Sequence, residues 1–179
     1  MSNDTIAQMM MEQRKEKDHW LRDSPHSPLP YDDRINFRGL NYFPYDAKFR
    51  VEAKLHRHPN PGRITMPTSI GTQDVFLRYG YFEFQLQEKT YTLQVYKSSH
   101  GESLFVPFRD GTTGKESYGA GRYLDVEERS SDTYTIDFNL AYNPYCAYSD
   151  SYSCPLPPRE NWLSVEIRAG EKNYTREDK

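Results

Sequence analysis

Cysteine is scarce in this sequence: Cys146 and Cys154 are the only two among 179 residues. Two thiols do not build a disulfide framework. A chain of this length buries roughly 70% of the surface its unfolded form exposes, so it needs neither bridges nor a metal to fold. Long apolar runs are missing as well; none approaches the ~18 residues that a membrane-spanning helix requires. The opening Met1-Ser2-Asn3-Asp4 lacks a basic stretch followed by an apolar one, and charges follow Met9-Met10-Met11 directly. A secretory signal is therefore not expected, and a reduced, cytoplasmic location is. Lys and Arg form no run and the net charge is −3, which excludes the clustered basic footprint that nucleic-acid binding needs.

Hydrophobic residues make up a low 36%, but aromatics reach 15%, with 15 Tyr and 9 Phe. Each ring buries a large area, and each Tyr keeps a hydroxyl for hydrogen bonding. A core built from such rings suits sheets better than helices.

One segment reads as helical, Asp4 to Arg22. Ile6, Met9, Met10, Gln13, Lys17, Trp20 and Leu21 fall near one face, with Asp4 as N-cap and Pro25 as terminator. The Met run and Trp20 then form the face that docks on the rest of the domain. Residues 23–48, with Pro25, Pro28 and Pro30, read as a connector. From Phe49 the pattern has period two. Phe49, Val51, Ala53 and Leu55 alternate with polar residues, as do Phe82, Phe84 and Leu86, then Tyr91, Leu93 and Val95. Such alternation marks antiparallel strands with one buried face. The short link Gln87-Glu88-Lys89-Thr90 predicts a hairpin. Further strands are expected at Ile64–Thr68, Val75–Tyr79, Leu104–Phe108, Tyr118–Val126, Tyr134–Asn139 and Leu163–Arg168. About nine short strands in a single domain over 1–179, with a β portion at 49–172, predict a mainly-β (α+β) fold. Its form is an antiparallel barrel-like sheet or flattened sandwich with one N-terminal helix.

Three phrases stand out as a set: 104–125 (LFVPFRDGTTGKESYGAGRYLD), 137–148 (DFNLAYNPYCAY) and 154–158 (CPLPP), the last followed by Asn161-Trp162-Leu163 and Ala169-Gly170-Glu171-Lys172. In order and spacing they resemble the bacterial and archaeal family called domain of unknown function 1684. The likeness extends through Phe37-Arg38-Gly39-Leu40 to the Trp20 region and so spans nearly the whole chain. It implies a shared fold and no particular activity. Ser117 stands where threonine is the more usual residue, a change that keeps the hydroxyl.

The candidate chemistry lies between Phe105 and Cys154. Arg109-Asp110 reads as a local ion pair beside a turn at Gly111 and Gly114, and Gly119 and Gly121 clear space for a backbone or ligand. Arg122 offers a planar fork for a carboxylate or phosphate. Gly114-Lys115 lacks the other residues of a P-loop, and Gly119-Ala120-Gly121 lacks the third glycine of a dinucleotide fingerprint. Asp137, Asn139, Tyr142, Asn143, Tyr145, Cys146 and Tyr148 crowd one short segment, where Asn143-Pro144 turns the chain out of a strand.

Three readings stay open. In the first, a small polar or anionic ligand is held by Arg109, Tyr118, Arg122, Asp125, Asn139, Tyr142, Asn143 and Tyr148, with Arg122 as anion anchor. In the second, the protein is a hydrolase that uses Asp125 or Asp137 as base or Cys146 as nucleophile; for Cys146 the nearest histidine in the sequence is His100. In the third, these groups only brace the fold. Binding requires an open pocket at Arg122, Asn143 and Tyr148, whereas mutual pairing of those groups favours bracing. His56 and His58 share a strand face and are the one pair suggestive of metal, though Pro59 and Pro61 follow at once. Cys146 and Cys154 are too widely spaced for a zinc knuckle. Edge strands leave room for a homodimer.

Overall fold

The computed structural model describes residues 1–175. Helix α1 (Asn3–Asp23) is capped by Ser2 instead of Asp4: the Ser2 hydroxyl accepts the Thr5 backbone N–H, and Asp4 sits in the first turn near the positive end of the dipole. Ser24 closes the helix by donating its backbone N–H to Trp20 O, and Pro25 stops it from continuing. The docking face is rotated from the expected one. Met10, Arg14 and Leu21 are buried, while Met9, Met11 and Trp20 stay 41–50% exposed. Arg14 is drawn inward because its guanidinium donates to Phe43 O at 2.9 Å and lies 4.6 Å from the centre of the Tyr42 ring.

The connector contains an unexpected short helix, α2 (Tyr31–Asn36), which buries none of its residues. Around it, Leu29, Phe37 and Leu40 pack with Leu21 of α1 and with Tyr148. This small cluster fastens the helix to the loops of the second half of the chain.

Among the described residues, seven strands make one antiparallel sheet that curls into a half-barrel. They are β1 (Arg50–Arg57), β2 (Arg63–Pro67), β3 (Gln73–Leu86), β4 (Lys89–Ser98), β5 (Ser103–Phe108), β6 (Arg122–Glu127) and β7 (Thr133–Asp137). The spatial order is β6-β5-β4-β3-β1-β7, with β2 pairing the first half of β3. The expected strands at 75–79 and 81–86 are one continuous β3. The segment 163–168 is no strand, and 118–121 forms a turn before β6. The β3–β4 hairpin turns through Gln87 (φ 50°) and Glu88 (φ 62°), two positions that favour Asn and Gly. Replacing the pair by Asn-Gly is expected to stabilise the protein by about 1 kcal/mol, read as a higher denaturation midpoint in urea.

One face of the sheet carries the main core. Ala53, Leu55, Phe82, Phe84, Leu93, Val95, Leu104, Val106, Phe108 and Leu124 meet there, and the C-terminal segment adds Val165, Ile167 and Ala169. The register of β3 against β4 slips between Arg78 and Gly80, a bulge at Tyr79. An extra residue reverses which side of the sheet successive side chains take. Phe82 pairs with Leu93 on the core face, whereas Phe76 pairs with Ser98 and Arg78 with Tyr96 on the opposite one. The bulge thus lets one strand serve the core with its second half and a separate cluster of Met66, Phe76 and Tyr96 with its first.

Candidate functional site

The groups expected to meet a ligand separate by sheet face. Along β6, Leu124 and Val126 belong to the core side, so Arg122 must point inward with them, while Tyr123 and Asp125 point the other way. Arg122 is 0% exposed. Its guanidinium donates to Ile167 O at 2.9 Å, to Glu171 O at 3.1 Å and to Ala169 O, and approaches Asp110 Oδ1 at 3.3 Å. Rings of Phe108 and Phe43 lie 5.4 and 5.8 Å from its centre. Burial pulls its pKa down, and the Asp110 carboxylate opposes that pull. Both terminal nitrogens are thus engaged by the chain, and Nε is buried without a hydrogen-bond partner.

Asp110 is the acceptor at the centre of this knot. It takes the Thr112 backbone N–H and hydroxyl, the Thr113 hydroxyl, and the Ile167 backbone N–H at 2.7 Å. Asp110 therefore pairs with Arg122 and not with its neighbour Arg109, which lies against the Trp162 ring at 4.4 Å. Ser117 uses its hydroxyl on Thr112 Oγ1 at 2.8 Å, the function that a threonine there would also serve. Gly121 is required by the backbone: its φ is +97°, and a Cβ would meet Phe108 O at 2.6 Å.

Asn139 and Asn143 are also turned to the chain. Asn139 exchanges hydrogen bonds with the Asp46 backbone and donates to Asp137 Oδ1, so Asn139, held by Asp137, pins the connector to the end of β7. Asn143 donates its amide to Lys172 O and its backbone N–H to Glu171 Oε2. Glu171 was not singled out by the sequence reading, yet it joins the two halves of the fold. Its buried carboxylate accepts from Asn143, from the Tyr148 hydroxyl at 3.0 Å, and from Lys17 of α1.

On the other sheet face lies a cleft of about 610 Å³. Its floor is Phe76, Ser98, Phe105, Tyr123 and Asp125 from β3 to β6; α1 supplies Lys17, Trp20 and Leu21, and residues 142–155 close the remaining side. The rings are fixed against one another. Phe76 stacks on Phe105 at 5.4 Å, Phe105 meets Tyr123 edge-on at 4.7 Å, and Tyr123 meets Tyr142 edge-on at 5.8 Å. The Tyr142 hydroxyl donates to Asp125 Oδ2 at 2.5 Å. Burial first, then the Asp125 charge, push the Tyr142 phenol upward, so it remains a neutral donor. Lys17, the one cation lining the cleft among the described residues, is engaged by Glu171 and lies 5.3 Å from the Tyr142 ring centre.

Of the residues expected at a site, the cleft brings together Asp125, Tyr142 and Tyr148; Arg109, Tyr118, Arg122, Asn139 and Asn143 do not line it. Tyr123, Phe105, Phe76 and Trp20 were missed as lining groups. The parity of β5 and β6 was the available signal, since Leu104, Val106 and Leu124 assign Phe105, Tyr123 and Asp125 to the face away from the core. His56 stacks on Tyr81 at 4.7 Å, and His58 Nε2 contacts Gln94 at 3.1 Å and the Arg78 guanidinium at 3.2 Å. A guanidinium on that nitrogen opposes a metal cation. Among the described residues, no three His, Cys, Asp or Glu side chains gather as a metal site. No helix among them is long and apolar enough to cross a membrane.

The model of the family "Protein of unknown function (DUF1684)" matches residues 35–172. The chain belongs to that family. It is also similar to an uncharacterised protein from gene locus rrnAC0354 of Haloarcula marismortui, solved by solution NMR. Identity is 39%, the TM-score is 0.74, and the match covers 96% of this chain and 97% of that one. No curated protein matches. The likeness to the archaeal protein carries the fold across almost the entire DUF1684 chain, including α1, which precedes the residues matched by the family model.

Proposed function

We propose that this DUF1684 protein binds a small molecule with a flat or apolar body and a cationic or hydrogen-bond-donating group. The observation that carries this reading is the cleft itself: rings of Phe105, Tyr123, Tyr142 and Trp20 border it, and Asp125 is its carboxylate. A pocket of this size, mostly apolar with a few convergent polar groups, is the usual form of a small-molecule site. Electron-rich faces next to a carboxylate favour an ammonium group, each cation–π contact contributing about 0.5–2 kcal/mol. Binding of an anion has less support, because Arg122 is sealed in the core and Lys17 is engaged by Glu171. We read Arg122, Asn139 and Asn143 as braces of the scaffold, on the strength of their bonds to the chain. The hydrolase reading is weaker: Asp137 is held in its own turn by Asn139, and the Cys146 sulfur is contacted by the Tyr118 hydroxyl, which is not a general base of the usual kind.

Benzyltrimethylammonium and benzoate share a ring and differ in charge, so they test the reading directly. Benzyltrimethylammonium is expected to raise the melting temperature of the wild type and not that of Asp125→Asn, while benzoate has no effect. A larger shift with benzoate, or an undiminished shift in Asp125→Asn, contradicts the proposal.

A further inference from the structure

The proposed binding function asks no chemistry of the two thiols, although Cys154 borders the cleft. They lie eight residues apart and are brought together by the loop that closes one side of the cleft. Cys154 is 7% exposed, and Cys146 is half-buried in the turn Tyr145–Ala147. The Cys146 backbone N–H donates to Cys154 Sγ at 3.2 Å. From the opposite side the Tyr118 hydroxyl donates to Cys146 Sγ at 3.6 Å. Cys154 is anchored in turn: its backbone N–H donates to Ser69 Oγ at 3.1 Å and its carbonyl accepts the Ser69 N–H at 2.9 Å.

We infer that Cys146 and Cys154 form a peroxide-reactive dithiol, with Cys146 as the attacking sulfur and Cys154 as the resolving one. The partners of each sulfur assign the roles. Cys146 is the more accessible, and the Tyr118 hydroxyl donates to its sulfur, which favours a thiolate there, whereas the Cys154 sulfur is buried behind it and held by the Cys146 backbone N–H. Hydrogen bonding from Cys154, opposed by burial and aided by Tyr118, holds the Cys146 pKa down to about 6, while Cys154 is pushed up. A preformed thiolate needs no general base to attack a hydroperoxide, unlike an acyl-transfer cysteine. In the first step Cys146 S⁻ attacks the distal oxygen of a hydroperoxide ROOH. The O–O bond breaks, the electron pair leaves as alkoxide, which takes a proton from water, and Cys146 becomes a sulfenic acid. In the second, Cys154 sulfur attacks the sulfenic sulfur, an S–S bond forms, and the S–OH oxygen leaves as water with the Cys154 proton. Sulfur gives up two electrons in all and the peroxide is reduced to an alcohol, or to water when R is hydrogen. The inference does not rest on the proposed binding function, although Cys154 borders the cleft.

The test uses the full chain, reduced and then treated with one equivalent of hydrogen peroxide. Intact mass is expected to fall by two hydrogens, with a cross-linked peptide joining Cys146 to Cys154 that dithiothreitol releases. In Cys154→Ser, Cys146 is expected to gain one oxygen and to be captured by dimedone; Cys146→Ser is expected to remain unmodified. Circular dichroism checks that both variants fold, and if either does not, the wild-type mass decides. Thiols that stay free after peroxide, first oxidation at Cys154, or disulfides only between separate chains would each overturn the inference.

Discussion

Arg122→Ala is expected to destabilise the protein by about 3–5 kcal/mol, the cost of breaking a buried ion pair from one side. The loss has two parts. Asp110 keeps its charge in the core without the guanidinium, and the carbonyls of Ile167, Ala169 and Glu171 lose their donor. Against a total stability of about 5–15 kcal/mol, this is a large fraction, and it appears as a fall in the urea midpoint with little change in slope. Arg122→Lys is expected to recover little, because one ammonium cannot serve three carbonyls and a carboxylate through a planar fork. Combining Arg122→Met with Asp110→Asn is expected to cost less than the sum of the two single changes. Strict additivity would show that the pair is not the unit described here. Under the binding role read from the sequence, Arg122→Ala would leave stability nearly unchanged.

Glu171→Ala is the second large effect, expected at about 3 kcal/mol. The Asn143 N–H loses its buried acceptor, which costs about 1–3 kcal/mol, and the Tyr148 hydroxyl loses its bond to the carboxylate. Lys17 loses its partner as well, and with it α1 loses a tie to the β portion. Amide exchange separates this from general destabilisation: protection is expected to fall first at Asn143 and along α1, while β3 and β4 keep theirs. Equal loss of protection throughout the sheet would contradict a local role for Glu171. The helix also contributes Trp20 and Leu21 to the cleft, so a loosened α1 is expected to weaken ligand binding without any change at Asp125.

Period-two alternation located the strands well where one face is buried, as in β1, the second half of β3, and β4. The same signal misled at 163–168. Val165, Ile167 and Ala169 do alternate inward, but the Ile167 N–H goes to the Asp110 side chain and the Val165 carbonyl to Gly111, not to a neighbouring strand. Alternation reports which side chains are buried; it does not report what the backbone pairs with. Helix α2 gave no pattern because it buries nothing. The stretch 118–121 reads as strand by composition, yet Gly121 at φ +97° breaks it. For the site, polarity alone does not separate a residue that faces the cleft from one that faces the core. A charged fork, two amides and an acid close together in sequence look like a ligand set, but Arg122, Asn139 and Asn143 face the interior and bind carbonyls or carboxylates of distant segments. Those partners lie up to 93 residues away, and a local reading cannot see them. The parity of β6 against Leu124 was legible and separates Arg122 from Asp125.

The most direct measurement of whether the cleft is a binding site is an amide-resolved NMR titration of the wild type with benzyltrimethylammonium. Saturable shifts are expected at Ser98, Gly101, Ser103, Tyr123, Asp125 and Tyr142, with β1 and β7 unmoved. Shifts centred away from those residues, or none at saturating probe, would contradict it.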